Sequence, residues 1–161
     1  MRLKPFFILV TLLALAPAGP ALAQQAAQQP LPPPSQAEGE PLSGDELRAL
    51  VTGNTVSGHH DSGMPYSEYH SPDGRVFGHN NHDPVQDGCW RVRGDSICYS
   101  YESGKAPGLF CWRFYHAKDG NYRILLPATG TTGSAIVAKG NPEHHTDHGK
   151  PWTCQALLSM R

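Results

Sequence analysis

The sequence lacks a long apolar run and a surplus of positive charge. Its longest apolar run, from Phe6 to Ala16, falls short of the roughly 20 residues that a transmembrane helix needs. Residues 1–23 carry two of the 13 basic residues and none of the 14 acidic ones, so the chain without them has net charge 11 − 14 = −3 with histidine neutral. This balance offers no basic surface for nucleic acid, and the sequence has no basic cluster suited to anionic lipid.

Familiar catalytic motifs are also missing. There is no Gly-x-Ser-x-Gly elbow, and the glycine-rich stretch 130–134 lacks the lysine of a phosphate-binding loop, so we predict a turn there. Asp83 and Asp87 are close enough in sequence to pair, but loop carboxylates of this kind are ordinarily solvated. These absences leave enzymatic activity open and favour a non-enzymatic protein.

The first 23 residues have the three parts of a secretory signal peptide. Arg2 and Lys4 precede the apolar run, and the small-residue pattern Ala21-Leu22-Ala23 follows it, so we predict cleavage after Ala23. No cysteine lies near that point to carry a lipid anchor. We therefore expect an exported protein of a Gram-negative bacterium, periplasmic or secreted, without an integral membrane segment in the mature chain. An uncleaved anchor is the alternative.

A change in composition separates a linker from a folded domain. Residues 24–41 are rich in Gln, Ala and Pro and poor in apolar side chains, so they cannot bury enough surface to offset the entropy of ordering. We expect a disordered linker there and a single domain over residues 42–161, which has about the usual domain length. Four cysteines in an exported chain predict a set of disulfides that stabilises this domain.

Three adjacent hydrophobic segments in the middle of the chain can be aligned from the sequence alone. Asp87 and Gly88 are expected to open the first segment, and residues 94–95 to form a two-residue turn after it. This turn places Trp90 opposite Tyr99, so that one face of the strand pair is continuously apolar. The sequence therefore predicts an antiparallel meander.

The third segment extends the meander and selects a disulfide pairing. Folding it back places Cys98 opposite Cys111 on the face away from the large aromatic rings. We therefore predict a Cys98–Cys111 disulfide, which leaves Cys89 to pair with Cys154.

Helix and strand signals around the meander complete the fold prediction. Ser43 and Glu46 have the spacing of a capping box, and Gly53 has the position of a helix end, so we predict one short helix over an end of the sheet. The other predicted strands, each bounded by turn residues, are 54–57, 66–70, 75–78, 121–126 and 134–139.

Roughly eight short strands with one helix predict an all-β fold. We expect the antiparallel meander to close into a small, lipocalin-like barrel or to form a sandwich. Aromatic residues of the central strands favour the barrel, since they supply the bulk to fill a small interior. They are Trp90, Tyr99, Phe110, Trp112 and Phe114. A filled interior is the expected state, and the alternative is a pocket that these rings line for a small apolar ligand.

Three motifs carry a resemblance to a known group of proteins. They are Thr52-Gly53-Asn54-Thr55 with Gly58, Ser71-Pro72-Asp73-Gly74 with Gly78, and Gly88-Cys89-Trp90-Arg91-Val92 with Cys98 and Cys111. Over about residues 42–139 the chain resembles small exported proteins of Gram-negative bacteria that share a domain of unknown function. The resemblance implies an exported, compact β-rich fold with the Cys98–Cys111 bridge, and it transfers no catalytic residues.

Nine histidines are a high count for this length, and several stand beside carboxylates in predicted loops. Neutral imidazole is a common ligand of zinc and copper, so these histidines are candidate metal ligands. The candidates are His59, His60, His79, His82, His144, His145 and His148. Adjacent histidines on a strand point to opposite faces, so solvent-exposed loop histidines are the simpler interpretation.

Two functions follow from these patterns. The first is an exported, non-enzymatic binding or envelope-associated module whose partner is a small apolar ligand or an envelope protein. The alternative is a His-rich periplasmic metal-binding protein, or a small metal-dependent enzyme, that uses zinc or copper. Convergence of three imidazoles from separate loops would distinguish the second function from the first.

Overall fold

Eight antiparallel strands form a closed barrel in the computed structural model, which describes residues 39–101, 108–149 and 152–154. Its elements are α1 (Gly44–Val51), β1 (Asn54–His60), β2 (Pro65–His70), β3 (Arg75–Asn80), β4 (Asp83–Arg93), β5 (Ser96–Tyr101), β6 (Gly108–His116), β7 (Tyr122–Leu126) and β8 (Thr131–Lys139). Each strand pairs with its neighbours in sequence, and β8 closes against β1. The predicted all-β barrel with one short helix is confirmed.

Helix α1 lies across one end of the barrel, which we call the helix end. The Ser43 hydroxyl accepts from the backbone N–H of Glu46, and the Glu46 carboxylate accepts from that of Ser43, so the predicted capping box is present. Leu47 and Val51 are fully buried in the same core as the interior residues of the strands. Gly53 follows the helix with a φ of 72°, a left-handed conformation that favours glycine.

The central strands pair in the predicted register. Cys98 lies opposite Cys111, and the disulfide between them joins β5 to β6. The second predicted disulfide, Cys89–Cys154, is also present and ties the C-terminal segment to β4. Residues 152–154 are therefore held against β4, where the indole N–H of Trp152 also donates to the carbonyl of Gly88.

The prediction that Asp87 and Gly88 open the meander is wrong. β4 already begins at Asp83, so both residues lie within the strand, where its pairing with β3 shifts register. Glycine fits this position because a Cβ there would lie 2.6 Å from Cγ1 of Val76 and 3.0 Å from Cε1 of Tyr101. Close packing of neighbours, rather than a turn, accounts for this glycine.

The turn predicted at residues 130–134 is also mostly wrong. β8 begins at Thr131, and the turn that precedes it ends at Gly130. Gly133 lies opposite His60 on β1, where a Cβ would come within 2.6 Å of the carbonyl oxygen of His59. Here too, glycine permits close backbone approach within a strand.

The predicted signal peptide and most of the predicted linker, residues 1–38, lie outside the described part of the chain. At the end of that linker, Pro41 forms a bridge with Tyr115, and Glu40 accepts a hydrogen bond from the backbone N–H of His116. Residues 40 and 41, at the end of the predicted linker, therefore belong to the folded domain. No helix within the described ranges is long and apolar enough to cross a membrane.

Candidate ligand site at the loop end of the barrel

Strand β2 places three polar side chains inside the barrel. Strand alternation directs Tyr66, Glu68 and His70 to the same face, and all three are buried. The residues beside Glu68 on the neighbouring strands are Val56 and Gly78, which offer it no polar side chain. A carboxyl group therefore stands in an interior built mainly from apolar and aromatic groups.

The Glu68 carboxyl group has one hydrogen-bond partner in the described structure. The hydroxyl of Tyr101 donates to its Oε1 at 2.8 Å, and no lysine or arginine of the described residues forms an ion pair with it. Burial raises the pKa of Glu68 to about 7, although the bond from Tyr101 acts in the opposite direction. This carboxyl group therefore titrates near neutral pH.

A histidine–tyrosine pair lies deeper, toward the helix end. Nε2 of His70 and the hydroxyl of Tyr99 are 2.8 Å apart, and the His70 ring meets Trp90 edge-on at 5.4 Å between ring centroids. Complete burial lowers the pKa of His70 to about 4, so its imidazole is neutral at neutral pH. The pair fills the barrel interior beneath Glu68.

A cavity of about 30 Å³ lies between Glu68 and the end opposite the helix, which we call the loop end. Its walls are Val56, His60, Tyr66, Glu68, Asn80, Tyr99, Tyr101, Trp112, Phe114 and Ile124. This volume holds about two water molecules, so side chains fill most of the interior. Asn80 is exposed, and Tyr101 and Trp112 are half-buried, so the described residues leave the cavity a route to the surface.

Three of the five aromatic residues predicted to line a pocket do so, and the other two pack elsewhere. Tyr99, Trp112 and Phe114 line the cavity. Trp90 instead packs against His70, and its indole N–H donates to the carbonyl of Ser71 at 3.0 Å. Phe110 packs beside Tyr101, with 6.1 Å between ring centroids.

His60 closes one side of the cavity. Its ring stacks between those of Tyr66 and Trp112, at centroid distances of 5.2 and 5.3 Å. The residue is only 9% exposed, and its Nδ1 has no hydrogen-bond partner among the described residues. Burial lowers the pKa of His60, and a hydrogen bond with Asn80 opposes that effect. The cavity wall thus contains a neutral imidazole with one unsatisfied nitrogen.

The other candidate metal ligands are mostly dispersed over the surface. His79 and His145, from two different predicted clusters, meet on the outer face with 5.8 Å between ring centroids. The exposed candidates are His59, His82, His144 and His148. In the described part of the chain, no three His, Cys, Asp or Glu side chains are arranged to hold a metal ion.

A second cluster on the outer face combines residue types that also occur in hydrolase active sites. Its members are Ser67, His145 and Glu143. Nε2 of His145 lies 2.8 Å from the Ser67 hydroxyl and 3.3 Å from Oε2 of Glu143. A catalytic triad needs the carboxylate on the nitrogen opposite the serine. Because both partners meet the same nitrogen here, the cluster fastens residues 141–148 to β2 and is not arranged for acyl transfer.

The polar interior row of β2 was not predicted from the sequence, although a signal for it was present. Glu68 lies two residues from both Tyr66 and His70, and strand alternation requires all three to share a face. Tyr66 has an aromatic side chain that suits the core. Glu68 lies on the same face of the strand and is therefore expected in the barrel interior. Glutamate is usually found at the surface, so Glu68 was not assigned to the interior.

No protein-family model, curated protein or solved structure matches this chain. The case for a function therefore rests on the geometry of the site.

Proposed function

We propose that the chain is an exported, non-enzymatic binding module that holds a small polar ligand at the loop end of its barrel. One observation carries the proposal: the Glu68 carboxyl group is buried without an ion-pair partner among the described residues, beside a cavity that those residues leave open to the surface. Burying a carboxylate in this way is unfavourable for folding. Groups held in such an environment are concentrated at functional sites.

The composition of the cavity wall fits a binding site. The ten residues that line it include no serine, threonine, cysteine or lysine that could act as a nucleophile. All four cysteines are held in disulfides. What the wall offers instead is a set of aromatic rings around a few polar groups, which is the usual composition of a binding site.

Export is supported by the N-terminal signal pattern together with the two disulfides, which form and persist in oxidising compartments. The resemblance to exported proteins of Gram-negative bacteria points the same way.

Nuclear magnetic resonance of the isotopically labelled mature protein tests the proposal. We would titrate it separately with butylammonium, 1-butanol and butyrate, which share a short alkyl chain and differ in the charge of the head group. Saturable shifts of the His60, Glu68 and Tyr101 resonances with at least one probe are expected. The proposal is wrong if none of the three perturbs these residues.

The alternative function, metal binding, rests on His79 and His145. The two rings meet edge to face on the outer surface, with 5.8 Å between their centroids, and no third side chain of the described residues is arranged to complete a metal site with them. Burial lowers the pKa of His145, which favours the neutral form that binds metals. Calorimetric titration with zinc or copper tests it. Heat at micromolar concentration that disappears in His145→Ala would support this function, and no heat from the unaltered protein would remove it.

A further inference from the structure

We infer that the loop-end cavity selects a primary ammonium group, so that the ligand of this barrel is a small primary amine whose cationic head lies against Glu68. This inference rests on the proposed function and names the chemical class of the ligand. It draws on the hydrogen-bond balance of the cavity, its aromatic walls and its size.

The hydrogen-bond balance of the cavity favours a ligand that donates. The Tyr66 hydroxyl already donates to the carbonyl of Ser134 at 2.9 Å, and the Tyr101 hydroxyl donates to Glu68. Oε1 of Glu68 receives that bond, and Oε2 has no partner among the described residues. A ligand that donates can therefore bond to Oε2, and an ammonium group brings three donors and no acceptor.

Aromatic rings around the carboxyl group favour a cation in the same place. The rings of Tyr66, Tyr99, Tyr101 and Trp112 all line the cavity together with Glu68. An aromatic ring attracts a cation that has left water, and a carboxylate beside it adds direct charge pairing. An anionic head group would be repelled by the same carboxylate.

Cavity size limits how the cation is substituted. A volume of about 30 Å³ accepts a group comparable to two water molecules, which suits a primary ammonium with its first carbon. A quaternary ammonium is too large and has no N–H to donate. The rest of the amine would extend past Asn80 and Trp112 toward the surface.

The ionisable groups around the site predict how binding depends on pH. Glu68 faces His60 from β1, Tyr66 and His70 from its own strand, and the two tyrosines of β5. Burial lowers the pKa of both histidines, which favours their neutral forms, and burial raises the pKa of Tyr101, so Glu68 is the group that ionises near pH 7. A bound ammonium favours the carboxylate, so binding at about pH 7 releases a proton and is tighter at higher pH.

Isothermal titration calorimetry with butylammonium tests the inference. At about pH 8 we expect saturable binding that weakens about tenfold or more at about pH 5, where Glu68 is protonated. At about pH 7 the heat should also depend on the ionisation enthalpy of the buffer. Tetramethylammonium and 1-butanol should not compete.

Two variants that each remove one carboxylate show where butylammonium binds. Glu68→Gln keeps an acceptor for Tyr101 but removes the charge, so it should weaken butylammonium binding about tenfold or more. Asp45→Asn removes a carboxylate that is exposed at the helix end, and it should leave binding unchanged. Equal effects of the two variants would overturn the inference.

The outcomes separate this inference from the proposed function. If 1-butanol or butyrate shifts the cavity resonances and butylammonium does not, selection for a cation is wrong and the loop-end site stands. If no probe shifts them, both fail. Butylammonium binding that Glu68→Gln leaves intact would also overturn the inference, because the head group would then lie elsewhere.

Discussion

The buried carboxyl group of Glu68 gives a pH dependence of stability with a defined sign. Its pKa is raised from the ordinary 4.5 to about 7 in the folded barrel. Between these values the unfolded chain has released the proton and the folded chain still holds it. The free energy of unfolding therefore falls as pH rises through this window, and the loss is complete above about pH 7.

The size of the effect follows from the shift. One pKa unit corresponds to about 1.4 kcal/mol, so Glu68 ionisation costs the folded state about 3 kcal/mol at pH values above the window. Glu68 is 5% exposed, so solvent screens little of this cost. Glu68→Gln, which cannot ionise, should gain about 3 kcal/mol of stability relative to the unaltered protein between about pH 5 and pH 8.

Urea unfolding followed by tryptophan fluorescence, with both disulfides intact, measures this difference. The quantity to compare is the difference in unfolding free energy between Glu68→Gln and the unaltered protein at the two pH values. A difference that stays constant from about pH 5 to pH 8 would refute the reasoning, because Glu68 would then have a similar pKa in both states.

His70 provides a control of opposite sign for the same experiment. Burial lowers its pKa from 6.5 to about 4, so the folded protein loses stability as pH falls through this window, by about 3 kcal/mol in total. His70→Gln should gain that amount relative to the unaltered protein on going from about pH 7 to pH 4. A gain at high pH instead would show that the sign is wrong.

Three further predictions concern the scaffold, each measured by the same urea unfolding at about pH 7. Leu47→Ala removes a fully buried side chain of α1 and should cost about 2–5 kcal/mol, whereas a cost below about 1 kcal/mol would mean that the helix does not pack on the barrel. Ser43→Ala removes the capping hydroxyl and should cost about 1 kcal/mol, and no cost would argue against the capping box. Replacing both Cys89 and Cys154 by serine should cost about 2–4 kcal/mol and expose the C-terminal segment to proteolysis, and unchanged protease resistance would show that other contacts hold this segment.

Local signals explain which parts of the fold were predictable. The register of the central strands follows from a two-residue turn and alternating apolar residues, and it placed Cys98 opposite Cys111 correctly. The helix was equally local, since its capping box lies within four residues. By contrast, Gly88 and Gly133 lie in stretches whose composition is typical of turns. Only the close approach of neighbouring strands explains why glycine occurs there inside a strand.

The candidate site was less predictable because it forms only when the barrel closes. Its walls come from six of the eight strands rather than from one motif, and they bring His60 of β1 against Trp112 of β6. Neither residue is adjacent to the other in sequence or in the order of strands. Strand alternation could place Glu68 inside, but no local pattern could show that Tyr101 would be its partner.

Two roles can explain the carboxyl group of Glu68, and they predict different properties for Glu68→Gln. If its role is to orient Tyr101, an amide oxygen serves as well, and Glu68→Gln should be more stable at neutral pH with an unchanged cavity. If its role is to hold a cation, the amide cannot replace the charge. A variant that is more stable and keeps the Tyr101 bond, yet no longer binds butylammonium, would separate the structural role from the functional one. The cost in stability that Glu68 imposes would then be explained by binding.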